Sequence, residues 1–297
     1  MKVLVTGSTG FVGRHVVSAL KASGHHVRCL HRSTSDTGVL RGQAVELEEG
    51  DILQRETIEA AVEGMDAVIH LVAVIRETEA TFEEVNVGGV RNLLEACQAS
   101  GVGRIVHMGA LGTRSDSPSR YSRSKAEGED LVKESGLHHT ILRPALILGP
   151  GGDFTQRVGD LIRRSRKVPV IGSGENLLQP IYVGDVAKAT VAALEERAGG
   201  RTWELGGPER VTWNDLVIRI AHVLGLRRSI RHVPPGLASF VSRAASLFTS
   251  EPMVTEDELI LMQEDVYCGT EDFVELTGDR PLDLDLCLER AFLPPPG

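Results

Sequence analysis

The chain has 297 residues, 41 acidic and 32 basic side chains for a net charge of -9, and four cysteines. That length buries a full core in one large domain or two closely joined ones. The acidic balance excludes the concentrated basic face that nucleic-acid binding favours, and Cys29, Cys97, Cys268 and Cys287 are too scattered for a zinc site or a disulfide framework.

In chain order, continuous apolar runs predict strands at 2–7 (KVLVTG), 26–32 (HVRCLHR), 44–51 (AVELEEGD), 66–73 (DAVIHLVA), 104–110 (RIVHMGA) and 139–148 (HTILRPALIL). Helical patterns fall between them at about 11–23, 54–63, 83–100 and 121–135. Runs that are apolar throughout, rather than alternating, predict a parallel sheet covered on both faces, and strand–helix repetition predicts a doubly wound α/β sheet. The first strand starts at the second residue, leaving no separate signal segment ahead of it, and the longest apolar stretch, AVIHLVAVI at 67–75, is too short to span a bilayer. The expectation is a cytoplasmic protein with no transmembrane segment and no metal.

After LGPGGDF the rhythm changes, and a return to the sheet is expected near PIYV at 180–183. The expected division is a dinucleotide-binding domain over 1–150, rejoined by 176–198, and a smaller α/β region of 151–175 and 199–297 over the carboxyl edge of the sheet. Within that region GLASFVSRAASLF (236–248) predicts an amphipathic helix, read as core or lid, with peripheral membrane contact the sharper reading. RRSRK at 163–167 reads as a solvated face, with contact to a substrate phosphate as the alternative. His70 and His107 fall in apolar strands and read as core histidines.

The turn GSTGFVG between the first strand and helix carries glycines at every third position, Gly7, Gly10 and Gly13. Such a turn lets the backbone approach a pyrophosphate, which then rests on the free amides of the following helix. Gly7, Thr9, Gly10, Phe11, Val12 and Gly13 form the predicted cradle. The second strand ends in CLHRSTS, where a site selective for NAD places an acidic residue for the ribose 2′-OH. Arg32, with Ser33 and Thr34, suits a 2′-phosphate instead, and Arg14 adds charge nearby; NADP(H) is favoured over NAD(H).

Tyr121 and Lys125 in YSRSK lie four apart on one helix face. A lysine held there is expected to lower the phenol's pKa, so that Tyr121 exchanges a proton with a substrate hydroxyl or carbonyl. With the glycine turn upstream and LRPALILGPG downstream, the chain resembles the short-chain dehydrogenase/reductase superfamily, a Rossmann-fold group, in its extended and atypical branches. The resemblance covers residues 1–200 strongly and the rest loosely. It implies an adenine contact at Asp51 and Ile52 of GDIL, an adenine-ribose wall at Leu71, Val72 and Ala73 of HLVA, and an ordering role for Asn86 in VNVGGVRNLLEAC. It also implies a nicotinamide contact at Pro144 and Ile147 of RPALILGP, a nucleotide bond from Lys125, and a homodimer face on the 83–100 and 121–135 helices.

One position departs from that pattern. Active members place a Ser or Thr just after the fifth strand, and here the matching residues are Gly109 and Ala110, with Thr113 and Ser115 beyond them. The chain looks most like the atypical group named for the NADPH-binding accessory subunit of respiratory complex I, which includes bacterial proteins labelled NAD-dependent epimerase/dehydratases. In the mitochondrial member the nucleotide is regarded as structural. Two readings stand. One is an oxidoreductase or epimerase acting on a carbonyl or sugar-nucleotide substrate with Tyr121 as acid/base; the other is a non-catalytic NADPH-binding protein associated with a respiratory-type assembly.

Overall fold

The computed structural model describes residues 1–238 and 254–293. Among them, seven strands form one parallel sheet: β1 (Lys2–Thr6), β2 (His26–His31), β3 (Glu46–Glu49), β4 (Ala67–His70), β5 (Arg104–Met108), β6 (His138–Pro144) and β11 (Arg201–Leu205). Their spatial order is β11-β6-β5-β4-β1-β2-β3, so the direction of winding reverses between β1 and β4. Ligands of such sheets bind outside the carboxyl ends of the strands at that reversal.

Both faces of the sheet are covered, as the apolar runs require. Val3, Val5, Ile69 and Val106 point to one core, shared with α1 (Phe11–Ala22) and α6 (Val183–Ala192). The intervening Leu4, Val68 and Ile105 point to the other, under α2 (Arg55–Val62), α3 (Gly89–Ser100) and α4 (Arg120–Glu134). A third cluster, built on Ile162, Val168, Leu216, Ile220 and Leu288, holds the C-terminal half together. It joins α5 (Asp153–Arg164), β8 (Lys167–Ile171), α7 (Trp213–Val223) and the terminal helix Leu284–Phe292. All four cysteines are buried free thiols. No helix among the described residues is long and apolar enough to cross a membrane.

Two placements differ from the sequence expectation. The strand that joins the main sheet late in the chain is β11, beside β6; β10 (Ile181–Tyr182), within PIYV, instead forms a separate two-stranded ladder with β7 (Ile147–Leu148), and β9 (Leu177–Leu178) pairs with β12 (Val211–Thr212). The first six residues of the expected 83–100 helix, Glu83–Gly88, wind as a π-turn. Of the expected helix over 236–248, only 236–238 falls within the described residues; the rest lies outside them. The RRSRK residues Arg163, Arg164, Arg166 and Lys167 are exposed. So are Arg91, Gln98, Arg123, Glu127 and Asp130 on the outer faces of α3 and α4.

Candidate active site

The chain leaves β1 at Thr6 and turns on Gly7 at φ +71°, a conformation in which a side chain is strained. A Cβ there would also lie 3.1 Å from the backbone of Leu71 and Val72. Gly13 is tighter still: a Cβ would overlap the Gly7 carbonyl oxygen and stand 2.8 Å from Ser8 Cα. Gly10 is the N-cap of α1 and has no side chain to cap with, so the first-turn amides of Phe11, Val12 and Gly13 keep their capacity for an outside acceptor. These features fit a pyrophosphate: bare backbone, free donors and the positive end of a helix. The Phe11 ring packs over Gly152 and its guard loop, 149–152. Arg14 donates to the Pro150 carbonyl at 2.7 Å, so its guanidinium is turned to that loop.

Arg32 follows β2 with its guanidinium exposed, and it forms no ion pair or side-chain hydrogen bond among the described residues. Its main chain is held by Ser35, whose hydroxyl accepts from Arg32 N at 3.1 Å; Ser33 is exposed beside it. The Asp51 carboxylate accepts from Leu53 N at 3.0 Å, while Ile52 is buried against Gly89. Leu71 N donates to the Thr6 carbonyl at 3.2 Å, which brings Leu71 and Val72 against the glycine turn, and Ala73 follows them. Asn86 accepts from Val74 N at 2.9 Å and donates to Val74 O and Ser124 Oγ at 3.1 and 3.0 Å. Its amide is committed to ordering the loop after β4 against α4, and the π-turn is what aims it there.

The Tyr–Lys helix, α4, starts at the N-cap Ser119, whose hydroxyl accepts from Ser122 N. Lys125 is 3% exposed and its Nζ donates to the Met108 carbonyl at 2.6 Å. Burial pulls its pKa down to about 8, with Glu129 acting in the opposite direction. For Tyr121, burial pushes the phenol up to about 12, and the Glu129 charge adds to the rise. The expected lowering by lysine is therefore overturned: Lys125 spends a proton on Met108, and desolvation disfavours the phenolate.

Glu129, one turn beyond Lys125, is fully buried and takes three hydrogen bonds from Arg143, at 2.6, 2.9 and 3.1 Å. Its carboxylate fills the space beside Gly109, where a Cβ would overlap Glu129 Oε1 and stand 3.2 Å from Arg143 Cγ. Thr113 is buried, donating to the Ala110 carbonyl at 2.9 Å and reaching Glu129 at 3.5 Å, while Ser115 is exposed. Neither hydroxyl stands in for the one that Gly109 and Ala110 lack. Pro144 ends β6, and its carbonyl accepts from Leu111 N at 2.9 Å. Ile147 lies in the short ladder with Ile181.

Beneath this group, Thr6, His70 and His107 line the sheet's carboxyl edge. Thr6 Oγ1 and His70 Nδ1 share a hydrogen bond of 2.7 Å, and the two imidazoles stack with centroids 5.4 Å apart. His70 Nε2 and both His107 nitrogens find no partner among the described residues. Burial pulls His70 down to about 3 and His107 well below its ordinary value, with Lys125 assisting, so both rings are neutral at neutral pH. Sequence reasoning missed Glu129 and Arg143. The signal for Glu129 was available, since it continues the Tyr121–Lys125 face by another four residues; Arg143 comes from a different strand and carries no local sign. Among the described residues no cluster of His, Cys, Asp or Glu could hold a metal.

The chain is similar to a ceramide reductase of Caulobacter vibrioides, 34% identical over 258 residues, covering 85% of this chain and 80% of that protein. It is also similar to the mitochondrial NADH dehydrogenase (ubiquinone) 1 alpha subcomplex subunit 9 of Rattus norvegicus, 31% identical over 297 residues, covering 95% of this chain and 77% of that protein. The fold matches that of a Thermus thermophilus UDP-glucose 4-epimerase solved with NAD, at a TM-score of 0.75 and 22% identity, covering 98% of each chain. The family model for NAD-dependent epimerases and dehydratases matches residues 3–206, which takes in the glycine turn, Tyr121, Lys125 and all of the parallel sheet but its first residue. The chain belongs to the NAD-dependent epimerase/dehydratase family.

Proposed function

We propose that this protein is an NADP(H)-dependent reductase of a small-molecule carbonyl compound, with Tyr121 as the proton donor. The observation that carries this reading is the half-buried Tyr121 phenol on the same helix face as Lys125, its pKa pushed up to about 12 by desolvation. A phenol with that pKa is protonated at neutral pH, so its resting state is that of an acid. When bound, the dinucleotide supplies the hydride. Tyr121 Oη gives its proton to the carbonyl oxygen as the carbon is reduced, so that C=O becomes CH–OH, and the phenolate is reprotonated from solvent. Lys125 holds its ammonium against Met108 and balances the charge left on Tyr121. Arg32 and Ser33 would take the 2′-phosphate, because a guanidinium meets phosphate with two parallel hydrogen bonds. The similarity to a protein named as a reductase supports the direction of reaction. We take the compartment to be the cytoplasm, in keeping with four free thiols.

A second reading, a nucleotide holder without turnover, is favoured by one observation: Gly109 and Ala110 offer no hydroxyl, and Thr113 is committed to Ala110 and Glu129. The similarity to a respiratory-chain subunit supports it. Loss of NADPH absorbance, followed with a panel of aldehydes, ketones and quinones, separates the two. Turnover that disappears in Tyr121→Phe supports the reductase. Tight nucleotide binding without turnover, in both the wild type and Ala110→Ser, leaves the holder. In calorimetry, Arg32→Ala is expected to weaken NADPH about tenfold, or ~1.4 kcal/mol, with little effect on NADH. No heat of association with either nucleotide would overturn both readings.

A further inference from the structure

Helix α8, Glu256–Leu261, comes from the far end of the chain yet begins against the first turn of α4. It has its own capping box between Thr255 and Glu258, so its start is firmly set. From that start Asp257 Oδ1 accepts two hydrogen bonds from α4, one from the Ser119 hydroxyl at 2.7 Å and one from Tyr121 N at 3.2 Å. The next residue, Glu258, takes Arg76 at 2.8, 2.9 and 3.2 Å and Arg157 at 3.2 Å. Just beyond the helix, Glu264 takes both ends of Arg114 at 2.7 and 2.9 Å. Arg76 follows the loop of Leu71–Ala73 and Arg114 the loop of Gly109 and Ala110. The far end of the chain is thus pinned both to the segment after β4 and to the segment after β5.

The amides at the start of a helix have no acceptor inside it. In α4 the Ser122 amide is met by its own N-cap, Ser119, but the Tyr121 amide is met only by a carboxylate 136 residues away. Ser119 donates its hydroxyl proton to that same carboxylate, which leaves its lone pair aimed at Ser122 N. Asp257 Oδ1 therefore holds the Tyr121 amide directly and the N-cap hydroxyl beside it, and Tyr121 stands in that first turn while Lys125 stands one turn deeper. The Phe82 ring meets the Tyr121 ring edge-on with centroids 5.9 Å apart, which restrains the side chain but not the backbone.

We propose that Asp257 is a positioning residue for Tyr121: its carboxylate, latched by Glu258 and Glu264, fixes the first turn of α4 so that the phenol keeps its place relative to Lys125. The inference rests on the reductase reading for its catalytic consequence but not for its geometry. The full-length protein carrying Asp257→Ala or Asp257→Asn tests it, since Asn keeps an acceptor oxygen and removes the charge. In Asp257→Ala, amide hydrogen exchange at Tyr121 and Ser122 is expected to speed up about tenfold or more. The kcat for carbonyl reduction is expected to fall about tenfold, with the NADPH dissociation constant unchanged, because a misplaced group loses rate without losing binding. Asp257→Asn is expected to restore both.

Unchanged exchange and unchanged kcat in Asp257→Ala would overturn the proposal. A common loss of nucleotide affinity, kcat and unfolding midpoint in both variants would also overturn it, because that pattern marks general damage. If the wild type reduces no carbonyl compound, the reductase reading fails separately. Faster exchange at Tyr121 in Asp257→Ala would then still support the clamp.

Discussion

The two ends of the cleft are built in opposite ways. The nucleotide cradle is made by leaving things out: Gly7, Gly10 and Gly13 strip side chains away so that backbone amides and a helix terminus face outward. The chemical end is made by crowding things in. Lys125 and Glu129 from α4 and the two histidines from β4 and β5 are buried, with the half-buried Tyr121 and Arg143 beside them. A site of bare backbone depends on few neighbours, whereas a site of buried charges depends on every partner being present. The same contrast explains Gly109. Its lack of a hydroxyl reads as a defect beside the glycine turn, but in the packed end it is the space that Glu129 occupies.

Breaking the crowded end should cost most. Arg143→Ala leaves the Glu129 carboxylate buried and unpaired, which is expected to cost about 3–5 kcal/mol in urea unfolding. Replacing both partners, as Glu129→Gln with Arg143→Met, should recover most of that loss; equal damage from the single and double variants would mean that the pair is not the cause.

A matched pair of small additions sharpens the comparison. Gly13→Ala and Gly109→Ser each add atoms where a Cβ has no room, and each is expected to cost about 1–3 kcal/mol. Their functional effects should part company. Gly13→Ala should abolish nucleotide binding, since the obstructing atoms are backbone, while Gly109→Ser should leave the nucleotide affinity within about twofold of wild type. If calorimetry shows Gly13→Ala still binding NADPH at full affinity, the cradle has been misplaced.

The smallest effect is a slope with pH. His70 and His107 have folded-state pKa values depressed below the ordinary value of 6.5, so the unfolded chain takes up protons that the folded chain refuses. Stability is therefore complete above about pH 6.5 and falls as pH drops below it, by at most about 1.4 kcal/mol per pH unit for each histidine. Urea midpoints measured between pH 7 and pH 5 should show this decline. His107→Phe should make it shallower, and an unchanged slope would assign it to other groups.

The glycine turn was legible because spacing, a preceding apolar strand and a following helical pattern are all local. The sheet was legible for the same reason, through runs such as KVLVT that are buried on both sides. What escaped were contacts between segments. Arg14 sits in the expected place along the chain, but its guanidinium answers to Pro150. The phenol's pKa was inferred from the lysine four residues away, yet the deciding influences are burial and Glu129. Nothing near Tyr121 in sequence announces Asp257.

By itself the sequence determined backbone matters: where strands and helices run, where a chain without side chains must turn, and which residues share a helical face. Those follow from steric limits and periodicity within a few residues. Only the tertiary structure decided which charges are paired, which protons are held and what room is left for a hydroxyl. Such properties depend on side chains brought together from segments far apart in the chain, here β4, β5, β6, α4 and the helix that carries Asp257.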